Sequence, residues 1–306
     1  MDKEDRIDAF GATSLIGFSA LLGLNQVMIK LVNAGLQPVF QAGLRSLLAF
    51  PIVLLIALAF RQRLSIRNGS LLPGLISGLF FGGEFILLFL ALDYTSVARA
   101  SIFFYTMPFW VAVGAHYLIP GERLTTLRIT GLVLAIAGVA LALSGNAQPA
   151  SDYALMGDIV CLIGAMMWAG IALIARTTAL SKSTPHMQLL YQLAVSAPMM
   201  LFAALFFGPF IRELEPFHLG LFAVQVIVVV SFGFAAWFWL LSKYPASDMA
   251  SFGFLAPLFG VGFGWLILNE IVGLRLVLAL VLVGTGIVLV NRKARPAIAP
   301  KEQASS

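Results

Sequence analysis

The sequence predicts an all-α integral membrane protein, with ten transmembrane helices built as two inverted five-helix repeats. Three observations carry this. Hydrophobic residues make up 60% of the chain and charged residues 11%, against about 25% charged in soluble domains. Ten apolar runs are each long enough, near 20 residues, to cross a hydrocarbon core of about 30 Å. A pattern that starts at Tyr94 returns, in order, at Tyr244.

The apolar runs occupy 11–32, 39–60, 70–92, 97–118, 126–144, 156–178, 187–207, 218–242, 246–268 and 272–290, and no connection is long enough for a soluble domain. The start MDKEDRIDAF is polar and mixed in charge, and the run after it ends without a cleavage pattern. The first run is therefore expected to be a retained helix rather than a removed signal peptide. Lys and Arg set the orientation. With both termini in the cytoplasm, only Lys30, Arg99, Arg212 and Arg275 lie near outer ends and Arg45 lies within a span; the rest of the 19 Lys and Arg fall inside. The basic residues collect at the ends of apolar runs and form no stripe, so no nucleic-acid partner is expected. The lipid bilayer is the expected surround. Cys161 is the single cysteine, which excludes an intramolecular disulfide.

The duplication is specific in residue type. Tyr94/Tyr244, Ala100/Ala250, Ser101/Ser251 and Phe104/Phe254 share one offset, and Pro108/Pro257 and Glu122/Glu270 follow with slips of one residue each. Upstream, Pro38/Pro185, Gln41/Gln188 and Pro51/Pro198 share another, and Gly138/Gly286 match near the far ends. The expected units are 1–148 and 149–295, with a cytoplasmic tail at 296–306. Five helices per copy is an odd number, so the second copy enters the membrane from the opposite side. That is the architecture of many secondary transporters. Pro108 and Pro257 fall about 17 Å into their spans at about 1.5 Å per residue. Each removes a helical hydrogen bond, which marks both as hinge candidates.

The stretch ALDYTSVARASIFFYTMPFWVAVGAHYLIPGERLTTLRITGLVLAIAGVALAL resembles the EamA-type repeat of the drug/metabolite transporter superfamily. It has a Tyr-containing turn, a small-residue helix with a central Pro, a Gly-Glu-Arg turn and a Gly-rich helix. SKYPASDMASFGFLAPLFGVGFGWLILNEIVGLRLVLALVLVGTGIVLV resembles the second copy, and GDIVCLIGAMMWAGIALIAR, with Trp168, its start. LNQVMIKLVNAGLQPVFQAGLRSLLAFP resembles the opening helices, with Asn25, Lys30, Pro38 and Arg45 in their usual places. Within the superfamily the chain looks most like YddG-type exporters of aromatic and other amino acids. The resemblance implies ten helices around a central cavity and efflux of small metabolites from a bacterial inner membrane. One departure is visible: Asn269 stands where the second copy usually has Gly, and the Arg expected after Glu270 is missing.

The stretch FFGGEFILLF, residues 80–89, places Glu84 amid apolar residues. An embedded ionisable group is costly and is expected to face the bundle interior with a partner. Counted from the outer ends, Glu84, Arg45 and Asn25 lie about 12, 9 and 10 Å deep, in one layer of the first repeat. Arg45 and Glu84 are expected to meet directly or through water. They then either tie helices 2 and 3 together or border a substrate path. A fixed cation and a fixed anion would answer the carboxylate and ammonium of an amino acid. The positions matching Arg45 and Glu84 in the second copy are Gln192 and Phe234. The second half is thus expected to read the side chain, with Trp168, Tyr191, Trp237 and Trp239 as aromatic candidates. Ser101, Tyr105 and Ser251 are further polar candidates.

Other classes fit less well. Sugar phosphates or nucleotide sugars would want several embedded cations, and Arg45 is the deep one. A membrane enzyme would need a catalytic constellation such as G-x-S-x-G or H-E-x-x-H, which is missing from the sequence. A scaffold would give the duplication and its mid-membrane prolines no purpose. His116, His186 and His218 lie near helix ends without ligand partners, so no metal or cofactor is expected. Ten helices in one chain can enclose a cavity, so a monomer is expected to work.

Overall fold

The computed structural model describes residues 7–144, 153–244, 249 and 252–291. The described part is helical: α1 (Ala9–Gly35), α2 (Pro38–Ala59), α3 (Leu71–Tyr94), α4 (Val97–Phe104), α5 (Met107–Leu118), α6 (Thr126–Leu143), α7 (Ala154–Thr177), α8 (Pro185–Ala204), α9 (Pro216–Val224), α10 (Phe234–Lys243), α11 (Leu255–Leu268) and α12 (Leu274–Asn291). Among the described residues, nine helical stretches are long and apolar enough to cross a membrane, and Leu255–Leu268 is apolar but shorter.

Two spans are interrupted where the sequence suggests single helices. The span 97–118 is α4 and α5, separated by Tyr105 and Thr106, with Pro108 in the first turn of α5. Pro108 has no amide hydrogen to give the preceding turn, so the helix restarts there. Pro257 likewise sits in the first turn of α11. The span 218–242 is also composite: α9 leads into a π-helical segment, Gln225–Gly233, before α10. That segment reads QVIVVVSFG, a β-branched run that resists the α-helix. The Ser231 hydroxyl donates to the Val226 carbonyl (2.8 Å) five residues back.

Hydrogen bonds between helix ends establish which ends share a face. At one face the Tyr244 hydroxyl, just after α10, donates to Asp8, just before α1 (2.6 Å). With the Gly11 amide it holds the Asp8 carboxyl below the usual carboxylate range. Ser70, before α3, bonds Tyr191 of α8 (3.1 Å), and Arg176 of α7 pairs with Glu122, after α5. At the other face Gln37, between α1 and α2, donates to the carbonyls of Ala204 and Gly208 (both 2.8 Å). Arg99 of α4 pairs there with Asp158 near the start of α7. α1 therefore starts at the first face and α7 at the second, so the two halves run in opposite senses. Ser70 and the 205–215 connection lie at opposite ends of the bundle.

Repeat mates pack on each other: α2 on α8 and α6 on α12. α1 packs on α11 and, correspondingly, α7 on α4 and α5. At the α1–α11 contact a Cβ on Gly23 would lie 2.7 Å from the Gly260 amide nitrogen, so these backbones nearly touch. Such small-residue contacts are how helices associate without a hydrophobic drive.

The unusual Asn269 has a backbone explanation. Gly121 and Asn269 precede the matching Glu122 and Glu270, and both have positive φ (87° and 52°). Asn tolerates the left-handed conformation better than most side chains, so it keeps the turn that Gly makes in the first copy. The turn aims Glu270 at α4, where its carboxylate accepts from the Val97 and Ala98 amides (2.7 and 2.8 Å). Asn269→Gly is expected to leave thermal stability unchanged or raised, whereas Asn269→Ala is expected to lose about 1 kcal/mol, read from unfolding of the purified protein.

Candidate functional site

Glu84 lies midway along α3, 3% exposed, and its Oε2 is buried without a hydrogen-bond partner. The two glycines before it explain how a carboxylate is seated there. A Cβ on Gly83 would lie 2.5 Å from Met167 Cε, and one on Gly82 would lie 2.8 Å from Met199 Sδ. Without side chains at both positions, α7 and α8 close on α3 and sink Glu84 into the interior.

Arg45 lies on α2, 2% exposed. Its guanidinium carbon stands 4.3 Å from the Phe85 ring centre and 4.7 Å from that of Phe89. Phe81, Phe85 and Phe89 form a column on α3, with ring centres 4.6 and 6.0 Å apart. Arg45 thus rests on aromatic faces and makes no hydrogen bond or ion pair with another described residue. Glu84, whose Oε2 has no partner among the described residues, does not form an ion pair with it. The sequence points to a meeting of the two directly or through water; a direct ion pair is not made, and the Phe85 and Phe89 faces lie beside the guanidinium.

The interior holds further polar atoms with no partner among the described residues: Asn25 Oδ1, Gln26 Nε2 and Asn33 Oδ1 on α1, Gln41 Oε1 on α2, Ser196 Oγ on α8 and Gln225 Nε2 at the start of the π segment. Unsatisfied groups in a bilayer interior cost several kcal/mol each. Buried polar atoms of this kind are candidates for receiving something polar. Trp168 is stacked on Phe104 (5.0 Å) and edge-on to Tyr105 (6.0 Å), and packs against both main apolar clusters.

Other sequence candidates are placed elsewhere. Ser101 donates to Gln26 Oε1 and fills the space beside Gly260, where a Cβ would lie 2.0 Å from its Oγ; it is engaged in packing α4, α1 and α11. Tyr191 bonds Ser70 and packs on Gly74 in a separate cluster with Leu180 and Met187. Gln192 donates to Ser77 (3.2 Å). Trp237 stacks on Phe18 (4.9 Å), away from Arg45, and Trp239 is 44% exposed. Ser251 lies outside the described residues. In the sequence Gln26, Gln225 and Ser196 carry no mark beyond their place in apolar runs, and Gln41 is marked only as the repeat match of Gln188. The available signal was an amide residue inside a long apolar run, which is nearly as informative as a charge.

An all-helical, multi-pass membrane protein with two opposed repeats and buried polar groups between them is a membrane transporter. The pattern of the EamA-like transporter family matches residues 9–144 and again 155–292, so the chain belongs to that family. It is similar to the uncharacterized transporter YoaV of Bacillus subtilis (strain 168), 23% identical over 274 residues, covering 89% of this chain and 94% of that one. The uncharacterized transporter YvbV of the same organism is 26% identical over 288 residues, 92% of each chain. A solved crystal structure shares the fold with a TM-score of 0.64 at 18% identity, covering 91% of this chain and 96% of the other.

Proposed function

We propose that this protein exports neutral amino acids, aromatic ones included, across a bacterial inner membrane by alternating access, with both termini cytoplasmic. One observation carries the reading: among the described residues the buried Arg45 guanidinium has no acceptor and the buried Glu84 Oε2 has no donor, and Arg45 lies over Phe85, the residue next to Glu84. An amino acid supplies the missing partners, its carboxylate to Arg45 and its ammonium to Glu84. Trp168 offers flat apolar surface to its side chain. The interruptions at Pro108 and Pro257 are where each half bends as the path opens to one side and then the other.

Sugar phosphates are disfavoured by the remaining cations near the outer end. Arg99 is taken up by Asp158 and the Ala142 carbonyl, and Lys30 donates to the carbonyls of Leu92 and Thr95 (2.9 and 2.6 Å). Arg212 pairs with Asp93 and Arg275 donates to the Ser144 carbonyl, so among the described residues a dianion deep in the bundle would meet Arg45 as its one cation.

The test is flux in proteoliposomes with labelled amino acids and sugar phosphates. Wild type is expected to carry amino acids. Glu84→Gln is expected to lower that flux by at least about tenfold, the loss of one charge-assisted bond, while the protein stays monodisperse. Undiminished flux in Glu84→Gln would remove Glu84 from the path, and a preference for sugar phosphates would overturn the substrate class.

A further inference from the structure

Gln41 and Gln225 are both fully buried, one in each half of the chain. Gln41 Nε2 donates to Gln225 Oε1 over 3.3 Å, a long bond, while Gln41 Oε1 and Gln225 Nε2 have no partner among the described residues. Two coplanar primary amides close two reciprocal hydrogen bonds; this pair makes one. Whichever way the amides are turned, a single bond between them leaves one donor and one acceptor over. Gln225 also opens the nine-residue π-helical segment, a geometry that is frequent at functional sites. The repeat sharpens the contrast. Gln188, the mate of Gln41, is satisfied by the carbonyls of Leu180 and Ser183 (3.1 and 3.3 Å).

We infer that Gln41 and Gln225 form a binding site for a carboxamide, the side-chain end of the transported solute. A carboxylate there would set lone pairs against Gln41 Oε1, and an ammonium would set protons against Gln225 Nε2. A carboxamide donates to the first and accepts from the second, completing both. Gln41 lies one helical turn from Arg45 on the same face of α2, since residues four apart are neighbours on a helix. A zwitterion held by Arg45 and Glu84 therefore extends a side chain of three or four atoms towards the amide pair. The preferred solute is an α-amino acid with a carboxamide side chain. Its zwitterionic end rests on the amino-acid reading above; the amide locus does not.

The experiment is ligand binding to the purified full chain, read as the shift of its thermal unfolding midpoint with concentration. The probes are L-glutamine, its apolar analogue L-norleucine, and propionamide against propionate. Wild type is expected to bind glutamine about tenfold tighter than norleucine, the equivalent of one or two net hydrogen bonds, and to prefer propionamide over propionate. The double variant Gln41→Leu/Gln225→Leu is expected to lose both preferences and keep norleucine binding. Its unliganded midpoint is expected to rise, because two imperfectly satisfied amides leave the interior. Equal affinities within each probe pair in wild type would overturn the inference and leave water as the occupant, as would preferences that survive in the double variant. If neither amino acid binds but propionamide is still preferred, the Arg45–Glu84 reading fails and the amide site stands.

Discussion

Asp158→Ala is expected to leave little folded protein in the membrane. Asp158 is fully buried and Arg99 nearly so. Arg99 Nε lies 3.2 and 3.0 Å from the two Asp158 oxygens, its Nη2 also pairs with Asp158, and Nη1 donates to the Ala142 carbonyl (2.9 Å). The Thr95 hydroxyl donates to the same carboxylate (2.9 Å). This cluster joins the end of α3, the start of α4 and the end of α6, all in the first repeat, to the start of α7 in the second. Removing the carboxylate strands a buried guanidinium, at about 3–5 kcal/mol, a large part of the roughly 5–15 kcal/mol that holds an ordinary domain together. Replacing both partners by apolar residues of similar volume, Arg99→Met with Asp158→Leu, is expected to recover most of the loss, because no charge is left without a partner. Denaturant unfolding of the purified variants measures this. A loss below about 1 kcal/mol for Asp158→Ala would place the pair among weak surface bridges.

The pair also shows what a sequence yields and what it withholds. Apolar length and the placement of Lys and Arg are properties of the chain alone, so the spans and their alternation are legible. The match of Tyr94 to Tyr244 and Glu122 to Glu270 is likewise legible, because a duplication preserves order. Glu84 and Arg45 stand out since ionisable groups in apolar runs are rare. Partners are different: they depend on which faces the helices turn to each other. Arg99 reads as an outer-end charge, yet it is buried on Asp158, which carries no separate signal. Tyr191 and Trp237 are aromatic residues of the right type in the right half, but α8 turns Tyr191 to Ser70 and α10 turns Trp237 to Phe18. Asn269 breaks the usual pattern in sequence while keeping it in backbone conformation.

Arg45→Lys preserves the charge and is expected to lower flux by about tenfold or more. A guanidinium is planar, weakly hydrated and able to meet a carboxylate at two points, whereas an ammonium is a compact, strongly hydrated point charge. Arg45 lies over Phe85 and Phe89, a seat that suits a flat cation. Loss of that stacking costs about 0.5–2 kcal/mol, small enough to leave the bundle folded. The comparison with Glu84→Gln decides between two roles for these residues. A structural ion pair across α2 and α3 would make their substitutions strongly non-additive in stability, because each single variant would already have broken the bond. A pair that holds two ends of one solute predicts the opposite. Stability losses should add within about 0.5 kcal/mol, while either variant alone lowers flux and the double variant lowers it little further. Arg45 lies over Phe85 and Phe89 rather than on Glu84, and Glu84 Oε2 lacks a hydrogen-bond partner among the described residues. On the proposed reading the bridging position belongs to the solute, and strong coupling in stability with flux intact would return both residues to the scaffold.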